Sequence, residues 1–119
     1  MSALDYALPM ISASNVSRSA GPASYRIRAQ DIRRGVCRAF RLDMATLDSP
    51  TKRRVHFEPR ALAMWLIKSH TNMSYPEIGR RFGGRDHTTV MSAVRRYQSW
   101  INDGVVPEPN VFDYLRIEQ

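Results

Sequence analysis

Residues 83–97 read GGRDHTTVMSAVRRY. Asp86, His87, Thr88 and Thr89 occupy four successive positions ahead of any residue that can pack. Together they offer a carboxylate acceptor, an imidazole, two hydroxyls that donate and accept, and two methyl groups. The major groove of DNA presents the complementary set: ring-nitrogen and carbonyl acceptors, amine donors and the thymine methyl. Other chemistries fit these residues less well. Adjacent side chains at a helix entry diverge, so Asp86 and His87 do not form an acid–base pair, and no nucleophile stands beside them. The three histidines, His56, His70 and His87, lack metal-ligand spacing, and Cys37 is the single cysteine. No metal and no cofactor is therefore expected.

These side chains need elements to hold them. Asp86 is a strong N-cap for a helix over about 87–101, with Val90, Ala93, Val94, Tyr97 and Ile101 on one face. Arg95 and Arg96 face away from that stripe. Upstream, Ser74-Tyr75-Pro76-Glu77 has the form of a capping box, with proline tolerated this early in a helix. Ile78 and Phe82 anchor the short helix it opens. Gly83-Gly84 permits the tight turn that follows, and Gly79 is small where the two helices would cross. Two helices joined by a glycine-containing turn make a helix-turn-helix, whose second helix enters the major groove N-terminus first.

The rest of the chain reads as helical too, with no convincing period-two alternation, so the fold class is a small all-α domain. Ile32, Val36 and Ala39 give a helical period over about 29–40, with Arg33, Arg34, Arg38 and Arg41 mostly off the stripe. Gly35 weakens that helix somewhat. Asp43 to Asp48 suits one short turn, with Leu42, Met44 and Leu47 inward. SPTKRRVHFEP, residues 49–59, reads as a basic loop, and Pro59 suits the first turn of a helix from about Glu58 to His70. ALAMWLI within it is apolar nearly all round, which predicts the central, most buried helix, with Trp65 in the core. Trp100 is expected to cover the hydrophobic seam. The tail VFDYLRIEQ suits a short helix packing Phe112 and Leu115 onto the body. The expected organisation is a mobile arm over 1–24, a helix-turn-helix domain over 25–104, and an acidic tail over 105–119.

The net charge of the 119 residues is +7, unevenly placed. Residues 25–100 hold 16 Lys/Arg against 6 Asp/Glu, whereas residues 101–119 hold Arg116 against Asp103, Glu108, Asp113 and Glu118. A basic block on the patterned segments suggests a polyanion, nucleic acid first and an anionic membrane surface second. The longest apolar run, seven residues from Ala61 to Ile67, falls well short of the roughly 20 that span a bilayer. The N-terminus lacks the basic start and apolar block of a secretory signal. No membrane partner and a cytoplasmic, nucleoid-associated location are the expectation.

SYPEIGRRFGGRDHTTVMSAVRRY closely resembles the signature of the C-terminal DNA-binding domain of the bacterial chromosomal replication initiator DnaA, and GGRDHTTV is its most specific part. The resemblance runs upstream through PRALAMWLIKSHTN and covers roughly residues 28–101. It implies a helical domain with a Trp-repressor-like helix-turn-helix that binds a short asymmetric duplex site, the DnaA box. It implies major-groove readout by Asp86, His87, Thr88 and Thr89, with Arg85 on base or phosphate. Arg54 resembles the family arginine that enters the neighbouring minor groove. Lys52, Arg53, Arg60 and Lys68 resemble backbone contacts or their neighbours. Ser74, Tyr75 and Pro76 match the start of the first motif helix, which touches the sugar-phosphate backbone. Glu58 departs from a common arginine, and Tyr75 from a common leucine.

No G-x-x-x-x-G-K-[S/T] loop occurs in these residues, so neither nucleotide binding nor enzymatic activity is expected. The leading expectation is sequence-specific binding of double-stranded DNA, in control of replication initiation or of transcription. The alternative is an adaptor tethered to DNA without sequence preference, recruiting a protein partner through the arm or the acidic tail. A nuclease or recombinase accessory role lacks the clustered carboxylates it would need.

Overall fold

The computed structural model describes residues 27–50 and 54–115, with the backbone alone at Arg54. The arm over 1–24, Lys52, Arg53, Arg116 and Glu118 lie outside the described residues. Five helices follow one another: α1 (Ala29–Phe40), α2 (Met44–Asp48), α3 (Arg54–His70), α4 (Tyr75–Arg81) and α5 (His87–Asn102). A 3-10 turn, Val111–Asp113, closes the order. The described residues contain no strand.

The central helix is α3. Ala61 to Ile67 are all buried, because α1 covers one side, α5 another, and α2 and α4 the rest. Trp65 is in the core, and its indole N–H donates to Gln98 Oε1 at 2.8 Å, which satisfies the one polar atom it buries. The helix begins earlier than its proline suggests. It starts at Arg54, so Pro59 lies inside it and is itself buried. Tertiary packing outweighs the lost N–H: the Phe57 ring meets Trp100 edge-on at 6.0 Å between centroids, and the Arg96 guanidinium lies 5.4 Å from the Phe57 centroid. Residues 54–57, expected in the basic loop, are thereby helical.

Arg33 is the second correction. It does not leave the α1 stripe; it is 5 % exposed, beside Ala29, Ile32, Val36 and Cys37 on the buried face. Its guanidinium pairs with both oxygens of Asp48, at 2.7 and 2.9 Å, and stacks over Phe82 at 4.8 Å. The Asp48 end of α2 collects two more arginines. Arg60 donates through Nε to Leu47 O (3.0 Å) and through Nη2 to Ser49 O (3.2 Å). Arg85 donates to Asp48 O (3.2 Å) and Ser49 O. The last carbonyls of a helix have no partner within it, and here guanidiniums supply one at the negative end of the helix dipole. Burial, with Arg85's charge adding and Asp48's opposing, pushes Arg60 down to about 10, still well above neutrality.

The C-terminal tail docks differently from its pattern. Val111 is buried, whereas Phe112 is half exposed. Asn110 caps the 3-10 turn by accepting from Phe112 N–H at 3.0 Å, and the turn delivers Val111 inward with Leu115 partly covered behind it. Gly35 explains itself here. A Cβ at that position would stand 1.8 Å from Tyr114 O, so the tail crosses α1 only because no side chain intervenes.

Two stability outcomes follow. Asp48→Ala leaves the Arg33 charge buried without its partner and should cost about 2–4 kcal/mol in urea unfolding, somewhat discounted because Asp48 is partly exposed. Gly35→Ala, which helix propensity alone would make stabilising, should instead lower the melting temperature and release residues 111–115 to faster amide exchange; a raised melting temperature with protected tail amides would contradict the docking.

Candidate nucleic-acid interface

Each helix of the motif starts from a designed-looking cap. Ser74 N–H donates to Glu77 Oε1 at 2.7 Å, and Glu77 N–H returns to Ser74 Oγ at 3.3 Å. Both bonds complete the capping box, and the Ser74 N–H, helped by the Ser74 hydroxyl donating to the same oxygen at 3.1 Å, holds the Glu77 carboxyl below the usual range. The α4 helix then ends at Phe82, buried under Arg33. Gly83 and Gly84 both take φ of +79°, the left-handed conformation that glycine enters at least cost. The turn folds back so tightly that a Cβ on Gly79 would lie 2.0 Å from Arg85 O. Gly79 O in turn accepts from the N–H groups of Gly84 (3.1 Å) and Arg85 (2.9 Å).

Asp86 opens α5 as its N-cap. One carboxylate oxygen accepts from Thr88 N–H at 3.0 Å and from the Thr88 hydroxyl. The other lies 3.8 Å from His87 Nδ1. Hydrogen bonds from the Thr88 hydroxyl, then from the Thr88 amide, hold the Asp86 carboxyl below the ordinary carboxylate range. Asp86, His87, Thr88 and Thr89 are all exposed. Directly after them Val90 is fully buried, and Ala93 and Tyr97 follow it into the core. The first turn of α5 thus carries polar groups outward while the next turn fixes the helix to the body.

A second group of candidates gathers at the start of α4. Ser74 and Pro76 are exposed, and Tyr75 is half-buried. The Lys68 ammonium donates to Met73 O at 3.3 Å and sits 4.5 Å from the Tyr75 ring centroid. A cation beside the positive end of a helix is held there against the dipole. The aromatic face and the carbonyl offset that repulsion, and an incoming anion would remove it. Tyr75, a departure from the common leucine, therefore has a use: its ring holds the lysine over the helix entry.

The remaining candidates separate. Arg60 and Arg85 are turned inward onto the 47–49 carbonyls, with Arg85 also donating to Phe82 O at 2.6 Å. Arg54 opens α3, and its side chain, like Lys52 and Arg53, lies outside the described residues. Four arginines not singled out for the site, Arg80 and Arg81 at the end of α4 and Arg95 and Arg96 on α5, are exposed within the same motif. Arg33 and Asp48 were also missed. Their signal was present as Arg33's spacing of four from both Ala29 and Cys37. Among the described residues, no group of three or more His, Cys, Asp or Glu is placed to hold a metal, and no helix is long and apolar enough to cross a membrane.

Residues 29–96 match the family described as bacterial dnaA protein helix-turn-helix. The chain is 50 % identical over 82 residues to the chromosomal replication initiator protein DnaA of Sphingopyxis alaskensis, which covers 69 % of this chain and 17 % of that protein. It is 49 % identical over 77 residues to the protein of that name from Rhizobium johnstonii, covering 65 % and 16 % respectively. For Zymomonas mobilis the identity is 47 % over 73 residues, or 61 % and 15 %. The chain thus spans about a sixth of the length of the curated relatives it matches.

The cap makes the N-terminus of α5 sensitive to acid. Because the folded carboxyl of Asp86 titrates below its unfolded value, its contribution is complete above about pH 4 and is lost as pH falls through the lower folded value. Asp86→Ala should lower the melting temperature at pH 7, and the gap to wild type should close as pH drops below about 4. A gap independent of pH would mean that the carboxylate is not what caps the helix.

Proposed function

This chain belongs to the bacterial DnaA helix-turn-helix family, and we propose that it reads double-stranded DNA at sites of the DnaA-box type. The observation that carries the reading is the exposed first turn of α5, four polar residues set between a glycine turn and a buried Val90. Residues 25–104 form the reading domain, with 1–24 as an arm and 105–119 as an acidic tail.

His87, Thr88 and Thr89 meet base edges, the threonine methyls facing thymine and the hydroxyls and imidazole exchanging hydrogen bonds. Asp86 serves first as the cap, and its second oxygen accepts from a cytosine amine. Ser74, Tyr75, Pro76 and Lys68 take a phosphate at the start of α4. Lys52 and Arg53 follow the backbone, and Arg54 reaches the adjacent minor groove. The chromosome is the natural target, which places the protein in the cytoplasm with the nucleoid. Occupying such sites, in competition with an initiator, would regulate replication or nearby transcription. Catalysis and nucleotide binding form no part of this reading.

Fluorescence anisotropy at fixed salt tests it. A duplex carrying a DnaA box should bind about 10³-fold or more tighter than a scrambled one. Equal affinity for both would favour the non-specific tether that recruits a protein through its arm or tail. His87→Ala should cost about 1–3 kcal/mol on the box and relax its sequence preference. Lys68→Ala should weaken every duplex alike and flatten the salt slope by about one.

A further inference from the structure

Arg85 stands directly before the four reading residues, where a basic side chain invites assignment to a phosphate. Its guanidinium does not point outward. Nη1 donates to Phe82 O at 2.6 Å and to Asp48 O at 3.2 Å, and Nη2 donates to Ser49 O. The backbone of the same residue is held from the opposite side, its N–H on Gly79 O at 2.9 Å and its carbonyl packed where a Gly79 Cβ would be. Gly83 brings the turn against the same strand of chain: a Cβ there would lie 2.5 Å from Asp48 O. Arg85 is therefore pinned at both ends, one residue before the cap that starts α5.

We propose that Arg85 is a positioning residue: its guanidinium fastens the turn of the motif to the end of α2, and so sets the angle at which residues 86–89 meet the base pairs. This rests on the DNA-reading function proposed above. Three carbonyls from two chain segments are collected by one planar group. A lysine ammonium carries the same charge but is a single nitrogen, unable to bridge acceptors spread in this way. Charge alone is not what the site uses. Base readout depends on sub-ångström placement, whereas phosphate attraction tolerates looser geometry. Loss of the strut should therefore harm discrimination far more than general affinity.

Arg85→Lys separates the two roles. As a strut, the variant should lose about ten- to a hundredfold in the ratio of box to scrambled affinity, the size of a misread base pair. Its affinity for scrambled duplex should stay within about twofold of wild type, with the salt slope unchanged. If Arg85 instead contacts phosphate, Arg85→Lys should keep the ratio, and Arg85→Met should flatten the slope by about one; that result overturns the proposal. The wild-type ratio reads the proposed function, and the variant-to-wild-type comparison reads the strut. A third readout needs no DNA. In the free variant, the amides of Gly84, Arg85 and Thr88 should exchange at least about tenfold faster while those of α3 do not change; unaltered exchange there also overturns the proposal. Should Arg85→Lys fail to fold, wild type bound to the box decides by NMR. Arg85 Nη protons that stay protected as in the free protein support the strut, and coupling of those protons to phosphorus refutes it.

Discussion

Three guanidiniums from three elements meet at the last carbonyls of a five-residue helix. Arg33 comes from α1, Arg60 from α3 and Arg85 from the turn of the motif, and their shared target is the Leu47–Ser49 backbone with the Asp48 carboxylate. Each alone would be a costly burial of charge. Together they are tolerable because α2 ends there, with carbonyls that have no partner of their own, and because Asp48 supplies a full negative charge. An arginine, unlike a lysine, can serve several such acceptors at once. Burial lowers the basicity of Arg60, and the nearby Arg85 charge adds to that. The junction ties α1 to the turn that launches α5.

The junction changes how the positive charge should be read. A count of Lys and Arg over residues 25–100 treats every cation as available to a polyanion. Arg33 and Arg60 are each 5 % exposed, and Arg85 faces carbonyl oxygens. Among the described residues, the outward charge lies with Arg28, Arg34, Arg38 and Arg41 along and around α1, with Arg80, Arg81, Arg95 and Arg96 on the motif, and with Lys68 beside Tyr75. The exposed set still favours a polyanion, but Arg33, Arg60 and Arg85 of the basic block serve as internal scaffolding.

Much of the architecture was legible from the residues. The span of α1, the capping box at Ser74, the cap at Asp86, and the burial of Ala61–Ile67 follow from local side-chain chemistry and period, which act within a turn or two. The failures share a cause. Arg33 on the buried face, Pro59 inside α3, Val111 in place of Phe112, and Gly35 under Tyr114 O all depend on contacts between segments far apart in the chain. Local rules priced a buried arginine, an internal proline and a helical glycine as unfavourable, and each is compensated by a partner no window of sequence contains. At the interface, the exposure of Asp86 to Thr89 was legible for the same reason that caps are. The inward turn of Arg85 was not, because two of its three acceptors, Asp48 O and Ser49 O, lie more than thirty residues away.

The junction is also what lets a small domain present four polar residues on a firm support. Val90 fixes α5 from within, Gly79 and Gly83 admit the close approaches, and Arg85 closes the angle between them. The most direct test is an NMR measurement of hydrogen-bond couplings in the free protein, between arginine side-chain nitrogens and backbone carbonyl carbons. The account predicts couplings from Arg60 to Leu47 or Ser49 and from Arg85 to Asp48, Ser49 or Phe82, with none for Arg80, Arg81 or Arg95. Side-chain signals of Arg60 and Arg85 that average like those of the exposed arginines, with no carbonyl coupling, would contradict it.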